Sequence, residues 1–181
     1  MRGFFDRMVH GQNESAPPAG GLDHTPGPLL AVVLECFEKH GWKLRQSSQP
    51  NTLPFAFRGA HATYDGMIDI NETDEEFLLL LRAPNHVPEN RRLAAAEFLT
   101  RANFSMKFGC FELDMADGEV RFKVATLLRE GQLSHRMVHD MLGVGLTTLD
   151  RFYPGLMAVC FGSRPAAEAI AAIESPPGHA E

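Results

Sequence analysis

His135 and His139 stand four residues apart, a spacing that aligns two side chains on one helix face, and Asp140 follows directly. Two imidazoles so placed can share one transition-metal ion, with a third and a fourth ligand supplied from elsewhere. His61 and His86 are the other imidazoles in view, and nothing in the sequence brings them close. The expectation is therefore two solvent-facing histidines near a helix start, with no metal. A second cluster, Asp65, Asp69, Glu72, Asp74, Glu75 and Glu76, lacks the alternating acids, central glycine and terminal glutamate of a calcium loop. It reads as a solvated strand face and turn. Cys36, Cys110 and Cys160 lie among apolar neighbours without CxxC spacing. They read as small buried or half-buried hydrophobes in a reducing compartment, not as nucleophiles or a disulfide framework. There is no Walker loop, GxGxxG, GxSxG or HExxH. Glu112 and Asp114 face basic residues across a hairpin, and an opposed cation favours the ionised carboxylate, the wrong state for a general acid. The expectation is a protein that is not an enzyme and carries no cofactor.

The 181 residues are 44% hydrophobic and 22% charged, the make-up of one ordinary domain. Lys and Arg total 17 against 23 acids, a net charge of -6 that argues against nucleic-acid binding. Arg121, Lys123, Arg129, Arg136 and Arg151 are scattered without interleaved aromatics. No run of 18 apolar residues predicts a spanning helix, and the first residues lack the apolar core of a signal peptide. A cytoplasmic location is expected. Residues 1–27, rich in Pro and Gly from Gly11 onward, read as a flexible extension. The extension starts with a short tag, Phe4, Phe5, Met8 and Val9, that could meet a partner groove or a membrane surface. Residues 28–173 form the domain. Residues 174–181, with Pro176, Pro177 and Gly178, read as a disordered tail.

Within the domain, Leu30, Val33, Leu34 and Phe37 recur at helical spacing over Leu29–His40, between Pro28 and Gly41. Extended runs follow at Leu53–Arg58, Thr63–Ile70 and Phe77–Leu81. The middle run turns Tyr64, Ile68 and Ile70 to one face and Thr63, Asp65 and Asp69 to the other. The last is apolar on both faces and is placed centrally, although its leucines leave a helix open. A second helix runs from Pro88 to Met106, burying Ala95, Phe98, Leu99, Ala102 and Met106 and turning Arg91, Arg92 and Glu97 toward water or a partner. Asp117–Gly118 reads as a two-residue hairpin turn. It pairs Met115 with Val120, Leu113 with Phe122, Phe111 with Val124, Asp114 with Arg121 and Glu112 with Lys123. Ser134 caps a third helix with a Leu133–Val138 staple and an apolar stripe of Met137, Met141, Leu149, Phe152, Leu156 and Val159. Pro154 predicts a kink or break near Tyr153. A short helix from Pro165 to Ile173 closes the domain. The fold class is α+β, an antiparallel sheet with helices packed on one face in the order α-β-β-β-α-β-β-α.

The segments Phe37 to Gly41-Trp42, Val87-Pro88-Glu89, Ala102-Asn103, Gly109 to Asp114, Gly118 to Phe122 and Asp150 to Gly155 carry, in order and spacing, a resemblance to the YbjN-like family of bacterial sensory transduction regulators. It spans roughly Leu29 to Ile173. The resemblance implies a fold similar to type III secretion chaperones, a homodimer that holds segments of other proteins, and no catalytic residue to carry over. The expected function is thus a non-enzymatic, protein-binding regulatory module, cytoplasmic and dimeric, with a protein partner and no nucleic acid. The alternatives are a metal-dependent protein using His135 and His139, and a membrane-surface adaptor using Phe4, Phe5 and Met8.

Overall fold

The first helix, α1 (Pro28–Lys39), begins at a proline whose missing N–H costs nothing in the first turn. It ends where Gly41 takes a left-handed φ of +66°. Leu30, Val33, Cys36 and Phe37 are buried along one side. In the computed structural model, which describes residues 25–104, 106–128 and 132–174, the chain continues through β1 (Thr52–Arg58), β2 (Thr63–Asn71) and β3 (Glu76–Arg82). A 3-10 turn at Glu89–Arg91 leads into α2 (Arg92–Phe104). Then come β4 (Cys110–Leu113), β5 (Val120–Leu127), the long α3 (His135–Cys160) and α4 (Ala166–Glu174). The Phe4, Phe5, Met8 tag and residues 175–181 lie outside the described residues.

The strands form one five-stranded antiparallel sheet in the order β1-β2-β3-β5-β4, so the leucine-rich β3 is central as expected. Alternation sorts its two faces. Leu53, Phe55, Phe57, Tyr64, Ile68, Ile70, Phe77, Leu79, Leu81, Phe111, Val120, Phe122 and Val124 point inward and share one core with the helices. This is the α+β class with helices on one face. Helix α3 lies close on the sheet because Gly145 leaves room: a Cβ there would stand 2.8 Å from Leu81 and 3.2 Å from Leu79. Gly155 does the same beside Phe98 and Ile173 of α2 and α4.

Five expectations need correction. The β4–β5 hairpin is slipped by two residues: Leu113 faces Val120, Phe111 faces Phe122 and Glu112 faces Arg121. The loop is longer than a two-residue turn. Asp114 closes it through Gly118 N–H (2.8 Å), and its side chain accepts from Ala116 N–H (2.7 Å). Gly118, at φ +85°, is pinned against the backbone of Val87. An even slip leaves the strand side chains on their expected faces, but Met115, expected opposite Val120, lies in the loop and is exposed.

Helix α3 is not broken. Pro154 sits inside it with its ring exposed. A missing bond and ring clash cost roughly 3 kcal/mol. The buried side chains of Leu149, Phe152, Tyr153 and Leu156, at roughly 1.5–3 kcal/mol for each large apolar group, outweigh it. At the start of α3 the buried stripe is Val138, Leu142 and Leu146, leaving Met137 exposed and Met141 half-buried. Finally, Arg91 and Arg92 are tied down. Arg91 donates to the carbonyl of Val159 (Nε, 3.2 Å), and Arg92 Nη1 donates to the carbonyls of Met115 (3.0 Å) and Ala116 (3.1 Å). Met106 lies past the end of α2 and is half-buried.

Candidate protein-binding surface

The two histidines singled out by spacing meet α1, each in its own way. His135 Nε2 lies 3.1 Å from Glu35 Oε2. His139 stacks on Trp42 (6.2 Å between centroids), and its ring stands 5.4 Å from His40, itself stacked on Trp42 at 4.7 Å. His40 Nδ1 donates to the carbonyl of Cys36 at 2.8 Å, and the Cys36 thiol donates to the carbonyl of His135 at 3.7 Å. These contacts join the end of α1 to the start of α3. Among the described residues, no group of three or more His, Cys, Asp or Glu side chains is placed to hold a metal. His61 and His86 are elsewhere: the His61 amide donates to Asp150 (3.0 Å), and His86 sits at the hairpin tip beside Asp117. Burial pushes the Cys36 thiol up despite Lys39 nearby, and pushes Cys160 up to about 11 against the opposing pull of Arg91. Both thiols stay protonated and unreactive at neutral pH.

Three polar side chains that spacing rules could not single out hold the frame. Asp150 of α3 is buried, yet it accepts from the amides of Ala60 (2.9 Å) and His61 (3.0 Å) and from the Tyr64 hydroxyl (2.8 Å). Its three donors come from the β1–β2 connection and β2, so it locks the sheet to the helix. Burial, then the bond to Asp150, raises the Tyr64 hydroxyl well above the usual phenol range. Glu72 accepts from the first-turn amides of Leu29 (3.2 Å) and Leu30 (2.8 Å), acting as a long-range cap for α1. The acidic strand and turn read as merely solvated, yet Glu72 caps a helix, Asp69 accepts from the Thr52 hydroxyl (2.7 Å) and Asp65 pairs with Arg45. Asn103 faces β4, with Oδ1 accepting from Phe111 N–H (2.8 Å) and Nδ2 donating to Phe111 C=O (3.0 Å).

Asn103 thereby occupies the outer edge of β4. The opposite edge of the sheet is also partly occupied: Leu44 bridges Phe55, Arg45 N–H donates to Pro54 C=O (2.7 Å), and Pro54 itself has no N–H to offer. Addition of a partner strand is thus discouraged at both margins. What remains open is the second face of the sheet. Across its middle run Pro54, Met67 and Leu80, in register on adjacent strands, with Lys123 next. Leu78 and Ala56 widen this apolar row, and all five apolar side chains are partly exposed. Charges flank it: Arg45 on Asp65 (2.8 Å), Arg82 on Glu119 (3.7 Å), and Glu112 bound by Arg121 (2.6 Å) and Lys123. Burial raises the Glu112 carboxyl, but its hydrogen bonds from Lys123 and Arg121 outweigh that and hold it below the usual range.

A second surface is apolar for a different reason. On α2 and just beyond it, Leu93 is 80% exposed, Phe104 94% and Phe108 68%. Leu93 and Phe104 are eleven residues apart, three helical turns, and so share one outward side. Beside Phe108 lies an open cleft of about 320 Å³ with Met106, Val144 and Phe152 in its wall and Lys107 and Arg151 at its polar margin. Among the described residues, no helix is long and apolar enough to cross a membrane.

The sequence from residue 29 to residue 157 matches the family YbjN, described as "Putative bacterial sensory transduction regulator". The chain belongs to the YbjN family. Among solved structures, YbjN from E. coli, described as "a putative transcription regulator", is similar at 16% identity, with a TM-score of 0.54 over 76% of this chain and 91% of that one. At that identity the likeness is one of fold. The ExsC-ExsE complex also aligns, at 16% identity and a TM-score of 0.46, over 68% of this chain and 89% of that one. No curated protein matches the chain. For this YbjN member, the matched stretch takes in α1 through most of α3 and so contains the whole sheet, both margins and the open face.

Proposed function

We propose that this YbjN-family chain is a non-catalytic regulatory module that binds a partner protein on the open face of its sheet. The observation that carries the reading is the in-register row Pro54–Met67–Leu80, left partly exposed while both sheet margins are occupied. Outward positions on a solvated sheet are usually polar. An apolar row bordered by charges is the make-up of an interface core and rim. Residues 28–173 are the binding unit, and its setting is the cytoplasm. The module pairs with a second copy across the exposed side of α2, where Leu93 and Phe104 offer large apolar groups to solvent.

Two measurements test this. Light scattering on the full chain should give twice the 20.0 kDa chain mass, and Leu93→Glu with Phe104→Glu should return it to one. Affinity capture with the full chain should recover a protein that a Met67→Lys, Leu80→Lys variant loses and a Met137→Lys variant keeps. A partner retained by all three baits, or a monomer at micromolar concentration, sinks the corresponding half of the proposal.

A further inference from the structure

On the open face, Arg82 of β3 and Arg121 of β5 are direct cross-strand partners. Directly opposed residues hold their Cβ atoms only about 4.5–5.5 Å apart, and like charges there are destabilising. The pair sits on two interior strands, where a neutral or oppositely charged neighbour was available to any sequence. Its counter-charges are shared: besides Glu112, Arg121 feels Glu119 and Asp114, and Glu119 also serves Arg82. Arg82 reaches Glu119 only at 3.7 Å. Its other in-register neighbour, Asp65, is taken by Arg45 at 2.8 Å. Glu112 serves two cations, Arg121 and Lys123. Both arginine side chains remain about half exposed, at 51% and 42%. Beside them, toward the middle of the same strands, lies the apolar row of Leu80 and Met67.

Resting on the docking face proposed above, we infer that the Arg82–Arg121 pair is a fork for carboxylate side chains, and that the partner is an extended protein segment carrying acidic and apolar side chains on the same side, at every second position. Guanidinium groups bind carboxylates in a planar, two-pronged way, so one or two acids above the pair relieve the repulsion between them. The apolar residues of the same segment then lie on Leu80 and Met67. A nucleic acid suits the face less well. None of the described residues on it is aromatic, so bases have no stacking platform.

Calorimetric titration of the full chain with a synthetic peptide repeating Leu-Ser-Glu-Ser, which sets Leu and Glu on one side of an extended chain, tests this, against peptides in which Gln or Lys replaces Glu. The Leu–Glu peptide should bind. The Leu–Gln peptide, and the Arg82→Gln and Arg121→Gln variants, should each weaken binding about tenfold or more, the factor carried by one charge-assisted hydrogen bond. Arg136→Gln, on the exposed start of α3, should change nothing. In the free protein, Arg82→Gln should melt at or above the parent temperature, because a repulsion is removed. Equal binding of the Leu–Glu and Leu–Gln peptides overturns the carboxylate fork and leaves the docking face standing. A clear loss of stability in Arg82→Gln marks the pair as structural and overturns the fork alone. Binding of neither peptide overturns both, and tighter binding of the Leu–Lys peptide or of a short single-stranded DNA overturns the acidic partner.

Discussion

The side-chain amide of Asn103 satisfies both outward backbone groups of Phe111, accepting from its N–H at 2.8 Å and donating to its C=O at 3.0 Å. A short strand at a sheet margin would otherwise show these groups to any passing chain. Asn103→Leu should cost about 1–3 kcal/mol, the range for leaving buried polar groups unpaired, as read from denaturant melts. It should also make the protein self-associate with rising concentration. A variant as stable and as monodisperse as the parent would remove the edge-closing role.

Tyr64 and Asp150 give a second test. A hydrogen bond to a charged group is worth about 1.5–3 kcal/mol, so Tyr64→Phe should lose stability on that order. Asp150→Asn should lose more, because an NH2 then replaces one of the two accepting oxygens and faces at least one N–H donor, and the charge is lost as well. The pH dependence follows from the direction of the shift. Burial raises Tyr64 and Tyr153 above the usual phenol range, with the bond to Asp150 adding to it at Tyr64. A raised folded value keeps the neutral hydroxyl, a contribution present below the unfolded value of about 10 and lost as pH rises toward the folded one. These are the two tyrosines of the chain. Ultraviolet titration should therefore show tyrosinate forming only above the pH at which a free tyrosine ionises, until the protein unfolds.

Glu112 has the opposite sign. Its folded value is depressed by hydrogen bonds from Lys123 and Arg121 that outweigh the effect of burial. Its contribution is complete above the unfolded carboxyl value of about 4.3 and fades as pH falls through the folded one. Glu112→Gln should lower the midpoint of urea unfolding at pH 7 by a small amount, since partly exposed pairs contribute about 1 kcal/mol or less. The difference from the parent should shrink toward pH 2. A difference that persists unchanged in acid would refute the ion-pair account.

Glu72 caps α1 from 42 residues away. Replacing a cap costs about 0.5–2 kcal/mol, so Glu72→Ala should destabilise on that scale. Hydrogen exchange should quicken first at the amides of Leu29 and Leu30. Uniform exchange across the domain would argue instead for a general loss of packing.

The parts of this fold that local rules govern were legible in the sequence. Pro28 and Gly41 bracket α1, and Ser134 caps α3 through Met137 N–H at 3.2 Å. Alternation in Thr63–Ile70 assigned both faces of β2. What escaped depends on distant partners. The slipped hairpin is set by Asp114 and by the backbone of Val87, neither of them part of the Asp117–Gly118 turn signal. Pro154 reads as a breaker only until the burial along α3 is weighed against it. Met137 and Met141 fit helical spacing as well as Val138 and Leu142 do, and only the position of the sheet chooses between them. Of the candidate surface, the apolar face of β3 was visible as a leucine run, but its register with Met67 and Pro54 was not. Asp150, Glu72 and Asn103 act on residues 90, 42 and 8 positions away, and Asp150 and Glu72 show how little spacing along the chain says about such pairs.

The strict division of odd and even positions in β3 has a consequence for how such modules diversify. Phe77, Leu79 and Leu81 hold the fold, while Leu78, Leu80 and Arg82 look outward. If the proposed docking face is the recognition surface, recognition and folding draw on different side chains of one strand, and new ligand preferences can arise by exchanging outward residues while the scaffold beneath stays as it was. Such a protein can be retargeted cheaply, and relatives with little sequence in common can keep one architecture while serving unrelated clients.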